Sequence, residues 1–254
     1  MQARIVPATH GARWLLDGWT LFRCAPFGWL ALLLGYWLLM TLLSVVPLVG
    51  VAIASIVVPA FSVGFMAAAR AASRRSGVEL ALLFDGFRHA QRAQLVLGAV
   101  YLASLALVLG GSTLADGGAL ARWMLTGRRP ENEVLQSDEF LGALALAAAL
   151  YLPVMMMFWF APPLVAWHSA SPAKALFYSF FACLMNWRAF LAYGALVVLV
   201  MVLVPLVALV LPLAVFGADR TKLAPLVLPL LLLMLPTLFA SFYASYRDIF
   251  GGAE

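Results

Sequence analysis

Charge is scarce in this chain: sixteen Lys and Arg and eleven Asp and Glu make only 11% of its 254 residues, against about a quarter in an ordinary soluble domain. Hydrophobic residues fill 65% of the sequence, which excludes a separate soluble module and makes 1–254 read as a single transmembrane domain. The excess of basic residues then speaks to membrane topology and not to nucleic acid. Cysteine is nearly absent. Cys24 and Cys183 form no CxxC and no Cys/His ligand spacing, so both are expected to be small apolar packing residues. His10, His89 and His168 are too scattered to suggest a metal centre. Neither a GxSxG elbow nor a glycine phosphate loop occurs, and no cofactor is expected. No Asp, Glu, Lys, Arg or His falls near the middle of an expected span, which argues against a proton-coupled pump and against an embedded enzyme. The N-terminal stretch spreads Arg4, Arg13, Asp17 and Arg23 between aromatics, an order unlike that of a cleaved leader.

What is present is a succession of apolar runs of about 20 residues, the length a spanning helix requires. The expected fold is an all-α integral membrane protein with six transmembrane helices, Trp29–Val46, Val51–Ala69, Leu95–Leu109, Phe140–Trp167, Ala189–Phe216 and Leu223–Tyr246. The third run stops at Gly110-Gly111, and the fourth is interrupted by Pro153 and by Pro162-Pro163. Pro205, Pro212, Pro225, Pro229 and Pro236 fall in the last two runs, and Gly217–Lys222 is the charged turn between them. Pro47–Gly50 is an uncharged turn, and Met1–Thr9 reads as a flexible tail.

Three interfacial amphipathic helices accompany the spans. From Ala12 to Phe22, Arg13, Asp17 and Thr20 share one helical face while Leu15, Trp19 and Phe22 share another. From Glu79 to Arg92, Leu80, Leu83, Phe84 and Phe87 oppose Asp85, Arg88, His89 and Arg92. The third runs from Ser171 to about Met185, opened by a Ser-Pro helix start. Asp17-Gly18 and Asp85-Gly86 occupy the same place in the first two, which points to a structural role at a helix bend.

Pro59, Pro153 and Pro236 align without gaps, bringing Phe65 opposite Trp159 and Phe242. This order suggests three parallel helix-plus-hairpin repeats, 11–76, 77–170 and 171–254, beside the alternative of six spans with unrelated amphipathic connectors. With an even span count and both termini inside, the inner segments hold eleven basic residues and the outer ones five, Arg122, Arg128, Arg129, Arg220 and Lys222. The N-in, C-in orientation follows from the positive-inside rule, with 112–139 as a periplasmic loop whose middle, Ala119–Leu125, can make a short helix. Arg70, Arg74, Arg75, Arg88 and Arg92 gather between the second and third spans, where they serve as an orientation signal or contact anionic lipid head groups.

The stretches LFRCAPFGW (21–29), PAFSVGFMAAARAASRR (59–75) and FAPPLVAWHSASPAKALFYSFFACLMNWRAFLAYG (160–194) resemble a family of uncharacterised proteobacterial multi-pass inner-membrane proteins. There is a looser likeness to the membrane domain accompanying some glycerophosphodiester phosphodiesterases, whose catalytic domain and acidic metal site have no counterpart here. The resemblance implies the bacterial inner membrane and carries no catalytic residue across. The functional expectation is a non-enzymatic scaffold that organises membrane lipids or partner proteins. The alternative is a channel or facilitator for a small neutral or lipid-like solute, passing between the proline-broken spans.

Overall fold

Proline, glycine and side-chain caps decide where the helices of this chain stop. The computed structural model describes residues 3–46, 49–207, 210 and 224–251, with backbone alone for 224–229 and 231. Every regular element among the described residues is helical. α1 (His10–Cys24) ends at Ala25, and Pro26 opens α2 (Pro26–Ser44), a position where the missing N–H is no loss. α3 (Val49–Ser73) carries Pro59 inside it. A 3-10 turn (Leu80–Phe84) leads into α4 (Asp85–Arg88), followed by α5 (Gln91–Asp116), α6 (Ala119–Thr126), α7 (Asn132–Leu135), α8 (Asp138–Phe158) and α9 (Ala161–His168). α10 (Pro172–Met185), α11 (Trp187–Val198), a π-helical turn (Leu199–Leu203) and α12 (Ala224–Phe250) complete the order.

Five helices are long and apolar enough to cross a membrane: Pro26–Ser44, Val49–Ser73, Gln91–Asp116, Asp138–His168 and Trp187–Val207. α12 has 27 residues and contains the stretch in which the sixth span is expected. Pro47, Pro212 and the charged turn Gly217–Lys222 lie outside the described residues, and for Pro225 and Pro229 only the backbone is described.

Three boundaries differ from those expected. The third span does not stop at Gly110-Gly111 but continues to Asp116, where Gly117 (φ +59°) turns out of the helix. In a lipid environment the backbone has no water to satisfy it, so two glycines without a proline do not release the helix. The polar stretch 112–139 holds the short helix expected at its middle, but its flanks, expected as loop, are partly helical: α5 runs to Asp116, and α7 and the start of α8 lie beyond. Asp116 caps the N–H groups of Gly118 and Leu120 at 2.8 and 2.7 Å, starting α6, and Leu120 packs with Phe140, Ala143 and Trp123. The second interfacial helix is broken as well. The N–H of His89 donates to the carbonyl of Asp85 at 3.2 Å, closing α4, and Ala90 adopts a left-handed backbone (φ +57°) before α5 begins.

The described chain divides into two compact units. In the first, comprising Met1–Tyr36, Gly64–Leu83 and Ala182–Glu254, α1 packs against α11 and α12. Gly11, Trp14, Leu15, Gly18, Leu21 and Phe22 face inward at helical spacing. Trp19, expected on that face, is instead 39% exposed, with the Arg23 guanidinium 5.6 Å from its ring centroid. The glycines set the distance between helices. A Cβ on Gly18 would strike the carbonyl oxygen of Thr237 and stand 2.8 Å from the nitrogen of Ser241, and one on Gly11 would meet the carbonyl oxygen of Ala189. Small residues of this kind let backbones approach in lipid, where no hydrophobic effect drives helices together. The supposed flexible tail is held too: the N–H of Arg4 donates to Ile249 O (2.8 Å), that of Val6 to Asn186 Oδ1 (2.8 Å), and Asn186 Nδ2 donates to Arg4 O (3.0 Å).

The second unit comprises Trp37–Val63 and Phe84–Phe181. α5 pairs with α8, Gly98 seats on the carbonyl of Ile56, and Gly86 on the carbonyl of Ala60. The α8–α9 break has a clear cause. Pro162 and Pro163 withdraw two N–H groups from the ladder, and Phe160 N–H, which an intact helix would give to Met156 O, goes to Ser179 Oγ at 2.9 Å. The Ser179 hydroxyl in turn donates to Met156 O at 2.7 Å. One side chain thus bridges the opened turn, a recognised way to stabilise a kink. Ser179→Ala is expected to lower stability by about 1–3 kcal/mol, because the hydroxyl's two hydrogen bonds, with Phe160 N–H and Met156 O, are lost; thermal unfolding in detergent would measure it.

Candidate functional site

A residue's place on its helix determines whether the two ends of the first unit can meet. His10, Arg13, Trp14 and Asp17 fall at spacings of three and four along the first turns of α1, and Ala244, Arg247 and Asp248 do the same in the last turns of α12. These two stripes, with Arg4, line a polar cavity of about 290 Å³.

Asp248 is the anchor. An acid in the last turn of a helix opposes the negative end of that helix's dipole, so it needs compensation from elsewhere. α1 supplies it: Trp14 Nε1 donates to Asp248 Oδ2 at 2.7 Å, and His10 Nδ1 lies 2.8 Å from the same oxygen. With the proton on Nδ1, His10 Nε2 is free to accept, and Arg13 Nη1 lies 3.4 Å from it. On the outer side Arg247 Nη2 donates to Asp17 Oδ2 at 3.1 Å, an ion pair with side chains 43% and 48% exposed. Pairs so exposed contribute about 0–1 kcal/mol. Below the polar layer Trp14, 1% exposed, meets Phe190 and Tyr193 at ring-centroid distances of 5.2 and 5.8 Å. The cavity therefore has a rigid aromatic floor and a charged rim.

The basic residues singled out in the sequence divide between the units. In the first, Arg70 is half-buried while Arg74 and Arg75 are exposed at the end of α3. Arg75 takes a left-handed backbone (φ +56°) there, and the N–H and hydroxyl of Ser76 close the turn on Ala71 O at 3.0 and 2.9 Å. In the second, Arg88 ends α4 and Arg92 lies in the first turn of α5, both exposed. The break at His89–Ala90 takes them off the single helical face expected for them. Among the described residues no three His, Cys, Asp or Glu side chains gather as metal ligands. Burial pushes the Cys183 thiol well up. Cys24, contrary to expectation, is exposed and donates from Sγ to Thr20 O at 3.3 Å.

The His10–Asp248 contact was not legible from spacing, since 238 positions separate the two residues. The one available signal is the acid at the end of the last apolar run, which requires a cationic or hydrogen-bonding partner from another element.

A probable inner membrane protein of Burkholderia thailandensis is 40% identical to this chain over 263 aligned positions, which cover 100% of the chain and 96% of that protein. No protein-family model matches the chain, and no solved structure matches it.

Proposed function

The chain belongs to the same family as the Burkholderia thailandensis probable inner membrane protein, and from that premise we propose that it is a non-enzymatic scaffold organising lipids or partner proteins in the bacterial inner membrane. The observation that carries this reading is the distribution of polarity. Helix interiors close on one another through glycine seats such as Gly11 on Ala189 and Gly98 on Ile56, while the charged residues of the five candidate spans, such as Arg70, Arg92, Asp116 and Arg188, stand near the ends of those spans. The looser likeness to the membrane domain accompanying glycerophosphodiester phosphodiesterases is in keeping with a role beside lipid.

In the proposed architecture α12 is the sixth span and the two termini lie inside, in line with eleven inner against five outer basic residues. The three repeats, 11–76, 77–170 and 171–254, gain support from a detail of packing. Gly18 of α1 seats on the carbonyl of Thr237, one residue past Pro236, and Gly86 of α4 on that of Ala60, one past Pro59. Each glycine follows an aspartate, Asp17 or Asp85, and each proline is one of the aligned set. Arg70, Arg74, Arg75, Arg88 and Arg92 contact anionic head groups along the inner leaflet in this account.

One observation favours the facilitator as a second reading. Gln94 is 1% exposed, its Nε2 donates to Pro162 O at 2.8 Å, and its Oε1 has no partner among the described residues. A buried acceptor beside a proline break is where a solute with a hydrogen-bond donor would pause.

Purification in native lipid, with mass spectrometry of what comes along, tests the scaffold. Enrichment of anionic lipid or a defined protein is expected, with the lipid reduced on replacing Arg74, Arg75, Arg88 and Arg92 by glutamine. Retention of nothing specific, together with solute uptake into proteoliposomes, would move the assignment to the facilitator. Orientation has its own test: on a Cys24→Ser background, Glu133→Cys is expected to react with an impermeant thiol reagent from the periplasm. Reaction from the cytoplasm alone would reverse the topology.

A further inference from the structure

The cavity between α1 and the end of α12 is lined, among the described residues, by more guanidinium than carboxylate groups. Both carboxylates are already engaged, Asp17 by Arg247 at 3.1 Å and Asp248 by His10 and Trp14 at 2.8 and 2.7 Å. Among the described residues, three guanidinium groups thus stand against two carboxylates, an excess of one positive charge, and two of the three, Arg4 and Arg13, have no carboxylate partner. Arg13 has only the long 3.4 Å contact to His10 Nε2, and the Arg4 side chain has no hydrogen bond or ion pair among the described residues, although its backbone is fixed to Ile249 and Asn186. A pocket of about 290 Å³ with two unmatched guanidiniums selects an anion with paired oxygens, since the guanidinium fork matches phosphate bidentately. α1 also begins here, so the positive end of its dipole adds to the same field. The cavity stands at the end of a 27-residue apolar helix, the level at which head groups lie.

We propose that this cavity seats the phosphate of a membrane glycerophospholipid, with Arg4 and Arg13 as its ligands and the Asp248–His10–Trp14 cluster holding α1 and α12 in place around it. The inference goes beyond the scaffold reading, because a facilitator could hold such a lipid equally well. It concerns residues apart from the basic set at Arg70–Arg92.

The same phosphate chemistry could come from a free ion, so the test has separate arms. The full-length protein in phosphate-free detergent buffer is titrated with dioleoylphosphatidylglycerol, with dioleoylglycerol, which lacks the phosphate, and with inorganic phosphate; adducts are counted by native mass spectrometry. One tightly held phosphatidylglycerol per chain is expected, weakened at least about tenfold in the Arg4→Gln, Arg13→Gln double variant and unchanged in a variant with the exposed Arg128 and Arg129 replaced by glutamine. As a measurement on the unaltered protein, phosphatidylglycerol should protect Arg4 and Arg13 from an arginine-modifying dicarbonyl reagent. Equal binding by the double variant, or no protection, overturns the site. Binding of inorganic phosphate without preference for the lipid over dioleoylglycerol overturns the lipid assignment. If scaffold-type lipid enrichment fails while this adduct persists, the cavity stands and the scaffold falls; the reverse pattern removes only the cavity.

Discussion

A Gly18→Leu chain is expected to lose the packing of α1 on α12 and to unfold in detergent with a stability lower by about 3 kcal/mol or more, the upper end of overpacking costs. No rotamer rescues the side chain, because the obstruction begins at Cβ. Its first atom would fall on the Thr237 carbonyl and within 2.8 and 2.9 Å of the nitrogen and Cβ of Ser241. Two of those neighbours are backbone in the interior of a 27-residue helix, and they can move only if the whole helix does. Gly142 offers the matched control: it lies in α8 with nothing within 4 Å of its would-be Cβ, so Gly142→Leu should be neutral, or stabilising by about 0.5–1 kcal/mol through helix propensity. Thermal unfolding of both variants under one detergent condition compares them. Equal midpoints for the two would mean that α1 and α12 are not in contact.

Trp14→Ala is expected to be comparably severe, with a cost of about 3–5 kcal/mol, the range for removing a fully buried aromatic. Trp14 is 1% exposed and supports Phe190 and Tyr193, while its Nε1 holds Asp248. The two contributions separate by chemistry. Trp14→Phe keeps much of the ring packing but removes the donor, and should cost about 1–2 kcal/mol because Asp248 retains His10 and is still 28% exposed. Circular dichroism melts of the two variants give the split. A Trp14→Phe variant as damaged as Trp14→Ala would show that the hydrogen bond outweighs the packing.

Much of the architecture was legible because lipid imposes a length and a composition that survive in the bare sequence. The broken fourth span is an example: Pro162-Pro163 announce the interruption, and α8 ends at Phe158, with α9 opening at Ala161. Ser171-Pro172 marks the start of α10 in the same way. The misplaced boundaries share a cause. Gly110-Gly111 breaks helices in water, where the backbone has an alternative partner, but in α5 the ladder runs on and Thr113 Oγ1 even donates back to Gly110 O at 2.7 Å. Glu79–Arg92 has the period of a helix, yet Gly86 must seat on Ala60, and the short α4 with its left-handed exit at Ala90 is what that seat leaves room for. Helical spacing puts Trp19 with Leu15 and Phe22, and those two are buried, but the inward face turns from Trp19 toward Gly11 and Gly18, small residues whose value is visible only when the partner backbone is known. The polar cavity was hidden for a related reason. Its two stripes lie at opposite ends of the chain, and neither contains a pattern that points to the other.

The closure of α1 onto the end of α12 can be measured directly. With Cys24→Ser and Cys183→Ala removing the native thiols, cysteines replace Asp17 and Arg247, whose side chains meet at 3.1 Å. A short thiol-bridging reagent is added, and the chain is then cut by a site-specific protease at a recognition sequence inserted between the exposed Arg128 and Arg129. The expected result is an N-terminal and a C-terminal fragment that stay covalently joined, at the mass of one chain. Two separate fragments, each carrying its own reagent, would contradict the closure on which the cavity and both stability predictions rest.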